Sequence, residues 1–297
     1  MDFNQYVEAN TLKVLNAKIN ARELVSFLQS NTYIIKLHLA LVEIGDEGAK
    51  ELAKLTHLTE LNLWNSNIGD KGTEALANGN LSHFTKLNLW DNNIGNKGAE
   101  ALANGNLLHL TELYLSSNNI GNKGAETLAN GNLINLTKLD LGDNNIEDKG
   151  AEALANGNLS YLTSLHLNSN SISEKGTEAL TNGNLSHLTE LDLCNNNIGD
   201  KGAEALANGN LINLTELDLD DYDSTIILIL LRRKRMEERL KVESQNRIRE
   251  IEEKHQTEIT ALREETQNMA KELTEIQNRV KAVEEKLEEE RQNKVRE

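Results

Sequence analysis

The side chains of this chain that could do chemistry recur at one interval. His83, His109 and His187 occupy the same place in a 26-residue period, and two neighbouring imidazoles can ligate a metal. Asn135, Tyr161 and Asn213 fill that place in other copies, so it reads as a polar loop position and no metal site is expected. Cys194 is the only cysteine, which excludes an internal disulfide. No histidine or cation stands in its row to lower its pKa, so it is not read as a nucleophile. Lys71/Glu74 and its copies are helix-surface pairs worth tenths of a kcal/mol. With no phosphate loop, nucleophile elbow or acid/base constellation, neither enzymatic activity nor a cofactor is expected. Interface chemistry is left, and its candidates are Trp64, Trp90, Tyr114, Asp140, His166, Asp192 and Asp218.

Those candidates lie on repeated elements. Leu-x-Leu recurs at Leu61/Leu63, Leu87/Leu89, Leu113/Leu115, Leu139/Leu141, Leu165/Leu167, Leu191/Leu193 and Leu217/Leu219. A shorter copy stands at Leu37/Leu39 and a worn one at Leu12/Val14. Within a unit, Leu61 and Leu63 point one way and Glu60, Asn62 and Trp64 the other, as strand side chains do. Asp70 to Ala77 reads as a two-turn helix, with Asn78-Gly79 ending it through a left-handed glycine. Gly72 and its copies are expected where backbones approach closely. A unit this small cannot bury its own apolar face, so the units must stack.

The pattern Leu-x-x-Leu-x-Leu-x-x-Asn-x-Ile at Leu110, Leu113, Leu115, Asn118 and Ile120 resembles the leucine-rich repeat, and Gly-Ala-Glu-Ala-Leu-Ala its ribonuclease-inhibitor and GALA subclasses. The resemblance implies an α/β solenoid with parallel strands on the concave face and short helices on the convex face. It also implies that Asn92, Asn118, Asn144, Asn170 and Asn196 bond to backbone in the turn. Ser66 and Tyr222 depart from that asparagine, so the ladder should weaken at both ends and Tyr222 should mark where the regular solenoid stops.

On the solvated strand face, Trp64 and Trp90 are neighbours in one row and Tyr114 lies one row over, giving an expected aromatic cluster. Asp140, His166, Asn168, Asp192, Cys194, Asp218 and Asp220 follow, flanked by Glu190 and Glu216. Two readings stand for the aromatics: an anchor for a partner, or a brace within the scaffold. The acidic row either selects a basic segment or, for Asp218 and Asp220 above all, supplies solubility charge.

Composition breaks once, near residue 225. Beyond residue 224, 17 basic residues balance 17 acidic ones, so the net charge of −16 belongs wholly to the repeats. Such a surface repels phosphate backbones, which disfavours nucleic acid and favours a basic or neutral protein partner. The opening MDFNQYVEAN has neither the basic nor the apolar region of a secretory signal, and no apolar run reaches the ~20 residues that span a bilayer. A soluble, cytoplasmic protein is expected. The sequon-like Asn80-Leu81-Ser82 is then read as repeat structure.

Expected organisation is an N-terminal cap with a degenerate repeat at 1–36, the solenoid at 37–224, a capping helix and junction at 225–251 and a coiled coil at 252–297. Ile226 to Leu231, N-capped by Ser224, should cover the last repeat's open edge. The rival reading joins this run to Arg232, Arg233, Lys234 and Arg235 as a membrane-surface anchor. Farther on, a heptad seam runs through Ile259, Leu262, Met269, Leu273, Ile276, Val280, Val283 and Leu287, with His255 and Thr266 at its polar positions. Ile248 and Ile251 stand four residues out of register, a stutter. A homodimer, a single helix and pairing with a partner's helix all remain open.

Leucine-rich repeats followed by a coiled coil, rich in asparagine and free of proline, resemble the effectors that intracellular bacteria translocate through a type IV (Dot/Icm) secretion system. The block Glu284, Glu285, Glu288, Glu289, Glu290 is similar to their C-terminal glutamate-rich signal. This resemblance implies virulence activity inside a host cell. The expected function is non-enzymatic protein binding by the acidic, partly aromatic face, with the coiled coil dimerising the chain or recruiting a second partner. The alternative is an inhibitor or regulator of a host enzyme or GTPase, similar to ribonuclease-inhibitor-type proteins. An F-box in residues 1–36 fits worse than a cap.

Overall fold

Leucine at every second position makes short extended segments with one greasy edge, and each finds its hydrogen-bonding partner one period away. The computed structural model describes residues 1–79, 81, 83–220 and 224–296. Tyr222, Asn80 and Ser82 lie outside the described residues, as do the side chains of Ser224 and Glu290. Ten strands form one sheet in sequence order: β1 (Val7–Glu8), β2 (Thr11–Leu15), β3 (Lys36–Ala40), β4 (Glu60–Asn62), β5 (Lys86–Asn88), β6 (Glu112–Tyr114), β7 (Lys138–Asp140), β8 (Ser164–His166), β9 (Glu190–Asp192) and β10 (Glu216–Asp218). All pairings are parallel except β1 with β2. The worn N-terminal copy is a full strand, with Leu12 opposite Leu37 and Val14 opposite Leu39. Antiparallel β1 then covers its outer edge.

Between strands the chain returns through α1 (Ala21–Ser30), α2 (Gly45–Leu52), α3 (Asp70–Ala77), α4 (Asn96–Asn104), α5 (Gly121–Asn130), α6 (Asp148–Asn156), α7 (Glu174–Asn182) and α8 (Gly199–Asn208). Leucines from strands and helices meet in one continuous core, where Leu87, Leu89, Leu102 and Leu110 are fully buried. Phe84 takes the core place that leucine holds in other units. The result is the expected parallel α/β solenoid.

The asparagine ladder is present. Asn118 Nδ2 donates to the carbonyls of Leu89, Leu115 and Ser116 at 2.9–3.2 Å, while its Oδ1 accepts from Ile94 N at 2.9 Å. Ser66 donates from Oγ to Leu39 O at 3.0 Å, supplying one proton where asparagine supplies two. A second, threonine ladder runs beside the strands: Thr85, Thr111, Thr137 and Thr163 each donate to the threonine carbonyl one unit back.

Helix starts are satisfied from the preceding unit. Asp46 Oδ1 accepts from Gly69 N at 2.7 Å and Gly72 N at 2.9 Å, and Asp70 does the same for Gly95 and Gly98. This closeness is why Gly72 is glycine: a Cβ there would lie 2.6 Å from Asp46 Oδ1. The expectation for Gly79 is corrected. Among described glycines only Gly45, Gly121 and Gly199 have positive φ, so Gly79 is not a left-handed cap. Its Cβ would fall 2.9 Å from both Cβ and O of Ala53, so the constraint is contact with the previous unit.

At the far end α9 runs Ser224–Arg296. Of the apolar run expected to cap the solenoid, Ile227 and Leu231, one turn apart, are buried, while Ile226, Ile229 and Leu230 are exposed. Lys234 Nζ donates to the carbonyl of Asn208, the last residue of α8, at 3.0 Å and to that of the following Gly209 at 2.7 Å, a cation at a helix C-terminus. The chain divides into two compact units, Met1–Arg235 and Met236–Glu297. No helix of the described residues is long and apolar enough to cross a membrane.

Candidate binding face

Register turns the outward strand positions into three rows of side chains, ~4.8 Å apart from strand to strand. The outer row alternates sign. Lys36 pairs with Glu60 at 2.6 Å, Lys86 with Glu112 at 2.7 Å, and Lys138 reaches past Ser164 to Glu190 at 3.6 Å. These lysines were not among the sequence candidates. They are legible once the row is read at the repeat period, since Lys and Glu alternate there from Lys36 to Lys138.

Trp64 and Trp90 do stack, with ring centroids 5.2 Å apart and planes 18° from parallel. Such offset stacking contributes about 0.5–1.5 kcal/mol beyond burial. The two rings differ in role. Trp64 is half-buried, and its Nε1 is buried with no acceptor among the described residues. Trp90 is 43% exposed and is held by Nε1 donating to Ser117 Oγ at 3.1 Å. Tyr114, expected in the same cluster, makes its contacts in the charged rows: Lys86 Nζ lies 5.0 Å and Lys138 Nζ 6.0 Å from its ring centroid, and its hydroxyl donates to Glu112 at 2.8 Å. Burial, with the Glu112 carboxylate next, raises the tyrosine's pKa well above the usual range.

Farther along, His166 Nε2 meets Glu190 Oε1 at 2.9 Å. Ser164, then His166, hold the Glu190 carboxyl below the ordinary range against the opposing effect of burial. Lys138, 3.6 Å away, is the cation paired with Glu190. Burial raises the pKa of Asp140. Burial, and then Asp192 beside it, push the Cys194 thiol up to about 11, the wrong direction for a nucleophile. Asp218, Asp220 and Glu216 are exposed at the end of the sheet. Among the described residues no group of three or more potential metal ligands comes together.

No curated protein sequence matches this chain. Among solved structures, internalin C2 (inlC2) of Listeria monocytogenes superposes with a TM-score of 0.50 at 29% identity, covering 71% of this chain and 80% of that one. Another internalin (inlF) of the same organism gives a TM-score of 0.49 at 24% identity, covering 71% and 67%. The Leucine Rich repeat family matches residues 30–53, 54–77, 80–103, 106–129, 132–155, 158–180 and 184–207, more than half of the chain. With the stacked strands, the inward leucines and the asparagine ladder in place, this chain belongs to the leucine-rich-repeat family.

Proposed function

We propose that this protein is a bacterial effector that binds a host protein, without catalysis, through the strand face of its solenoid, using the Trp64–Trp90 stack as the anchor. Leucine-rich-repeat solenoids are protein-binding scaffolds, and their strand faces are extended binding surfaces. The observation that carries the reading is Trp90, 43% exposed on a rigid strand scaffold with its ring backed by a second tryptophan. A large ring presented without rotamer freedom is the typical interface hot spot. The effector role rests on the likeness of the whole layout, repeats followed by a long charged helix, to translocated effectors. The seam residues of α9 support its use in dimerisation, since Ile259, Leu262, Met269 and Leu273 are all exposed in the single chain.

Affinity capture from eukaryotic lysate, followed by calorimetric titration of the purified partner, tests this. Trp90→Ala should weaken binding at least ~10-fold, as expected for loss of more than about 1.4 kcal/mol at a hot spot. Equal affinity of the Trp90→Ala variant and wild type would remove the strand-face anchor and leave the tryptophans as a brace. A captured enzyme or GTPase whose rate changes on binding would identify the regulator reading.

A further inference from the structure

The middle row of the strand face repeats one side-chain conformation. Asn62 Oδ1 accepts from Trp64 N at 3.0 Å, Asn88 Oδ1 from Trp90 N at 2.9 Å, Asp140 Oδ1 from Gly142 N at 3.1 Å and Asp192 Oδ1 from Cys194 N at 3.0 Å. In each case one terminal oxygen is turned back onto the strand, and the other terminal atom points away from it. The amide orientation at 62 and 88 follows from chemistry, because only the oxygen of a carboxamide can accept. The outward atom is therefore an NH2 donor at Asn62 and Asn88 and a carboxylate acceptor at Asp140 and Asp192. Polarity reverses across Tyr114.

Other features of the face follow the same division. Beside the two amides a cavity of about 380 Å³ opens, lined also by His38, Glu60, Leu61, Lys86 and Tyr114, with the Glu60 carboxylate ion-paired to Lys36 and the Lys86 ammonium to Glu112. Neighbouring strands bring the two NH2 groups within ~5 Å of each other, a spacing suited to carboxylate or main-chain carbonyl oxygens. At the opposite end Glu216, Asp218 and Asp220 are exposed, Asp220 with one carboxylate oxygen accepting from Asn195 N.

We infer that the strand face takes an extended segment of a protein partner with two unlike ends. An acidic or carbonyl-presenting end lies over the outward amides of Asn62 and Asn88, and a basic end over Asp192, Asp218 and Asp220. Four strand spacings separate Asn88 from Asp192. At ~4.8 Å each and ~3.3 Å per extended residue, the partner's acidic and basic groups stand about six residues apart. This inference rests on the strand-face reading above and adds an acidic or carbonyl-presenting end to the basic segment expected from the acidic row.

The test is selection from a displayed library of random peptides of about twelve residues, which exceeds the ~19 Å span, on the full chain. Selected peptides are then titrated by fluorescence polarisation against wild type, Trp90→Ala, Asn62→Asp/Asn88→Asp and the milder Asn88→Asp alone. Asp already adopts this conformation at Asp140 and Asp192, so the substitutions keep the bond to the strand while reversing the outward polarity. Wild type should select peptides with Asp or Glu about six residues from Lys or Arg. The double variant should lose at least tenfold in affinity for them and prefer wholly basic peptides, and Asn88→Asp should move in the same direction. Trp90-dependent peptides that are wholly basic, bound equally by wild type and both Asp variants, would overturn the inference and leave the strand-face reading standing. Selection of no Trp90-dependent peptide would remove both.

Discussion

Asn170→Ala isolates what the asparagine ladder contributes. Asn170 is 9% exposed and makes five hydrogen bonds: Nδ2 to Leu141 O and Leu167 O at 3.0 Å and to Asn168 O at 3.3 Å, and Oδ1 from Asn144 N at 3.1 Å and Ile146 N at 2.8 Å. The carbonyls suffer less from truncation, since Leu167 O keeps a donor in Asn196 Nδ2 at 2.9 Å. The two N–H groups lose their acceptor in a buried turn, at about 1–3 kcal/mol each. Partial entry of water tempers this, so the expected loss is about 3 kcal/mol. For a solenoid of this size that corresponds to a fall in Tm of about 6–12 °C. Asn170→Asp should be at least as damaging, because it retains the acceptor but places an oxygen against the carbonyls that Nδ2 now meets. Asn132→Ala, on an exposed loop, is the control and should stay within about 0.5 kcal/mol of wild type. Urea unfolding followed by circular dichroism and tryptophan fluorescence together is the assay, since repeat arrays can unfold in pieces. A loss below about 1 kcal/mol for Asn170→Ala, or a tolerated Asn170→Asp, would refute the claim that buried N–H satisfaction holds the turns.

Two further outcomes follow from the same structure. Burial raises the Asp140 pKa in the folded state, so the native protein binds that proton more tightly than the unfolded chain does. The ionised carboxyl is therefore a liability above its folded pKa. Asp140→Asn, the residue held at 62 and 88, should stabilise the protein at pH 7, with the gain vanishing as pH falls through that raised pKa; a gain that persists unchanged in acid would contradict the assignment. In α9, Leu262→Glu with Ile276→Glu should convert a dimer of about twice 33.1 kDa into a 33.1 kDa monomer by light scattering of the full chain. A wild-type mass of 33.1 kDa would leave the seam to a partner's helix.

The sequence by itself determined the period, the strand and helix of each unit, the inward leucines and the turn asparagines. These follow from local spacing: Leu61 and Leu63 share a face because strand side chains alternate, whatever surrounds them. It also placed Trp64 beside Trp90, because parallel strands in register carry equal repeat positions to neighbouring places. Only the tertiary structure decided what depends on distances between units. Gly79 was legible as a helix terminator, yet the reason it must be glycine is Ala53 one unit back. The closeness of Asp46 to Gly69 and Gly72 turns an ordinary first-turn carboxylate into the cap of the next helix. Tyr114 sits one strand from Trp90 in sequence order, but side-chain direction gave it to Lys86 and Glu112. The outward polarity of Asn62 and Asp140 was likewise invisible in a list of polar residues, because it depends on which terminal atom the strand's own N–H has already engaged.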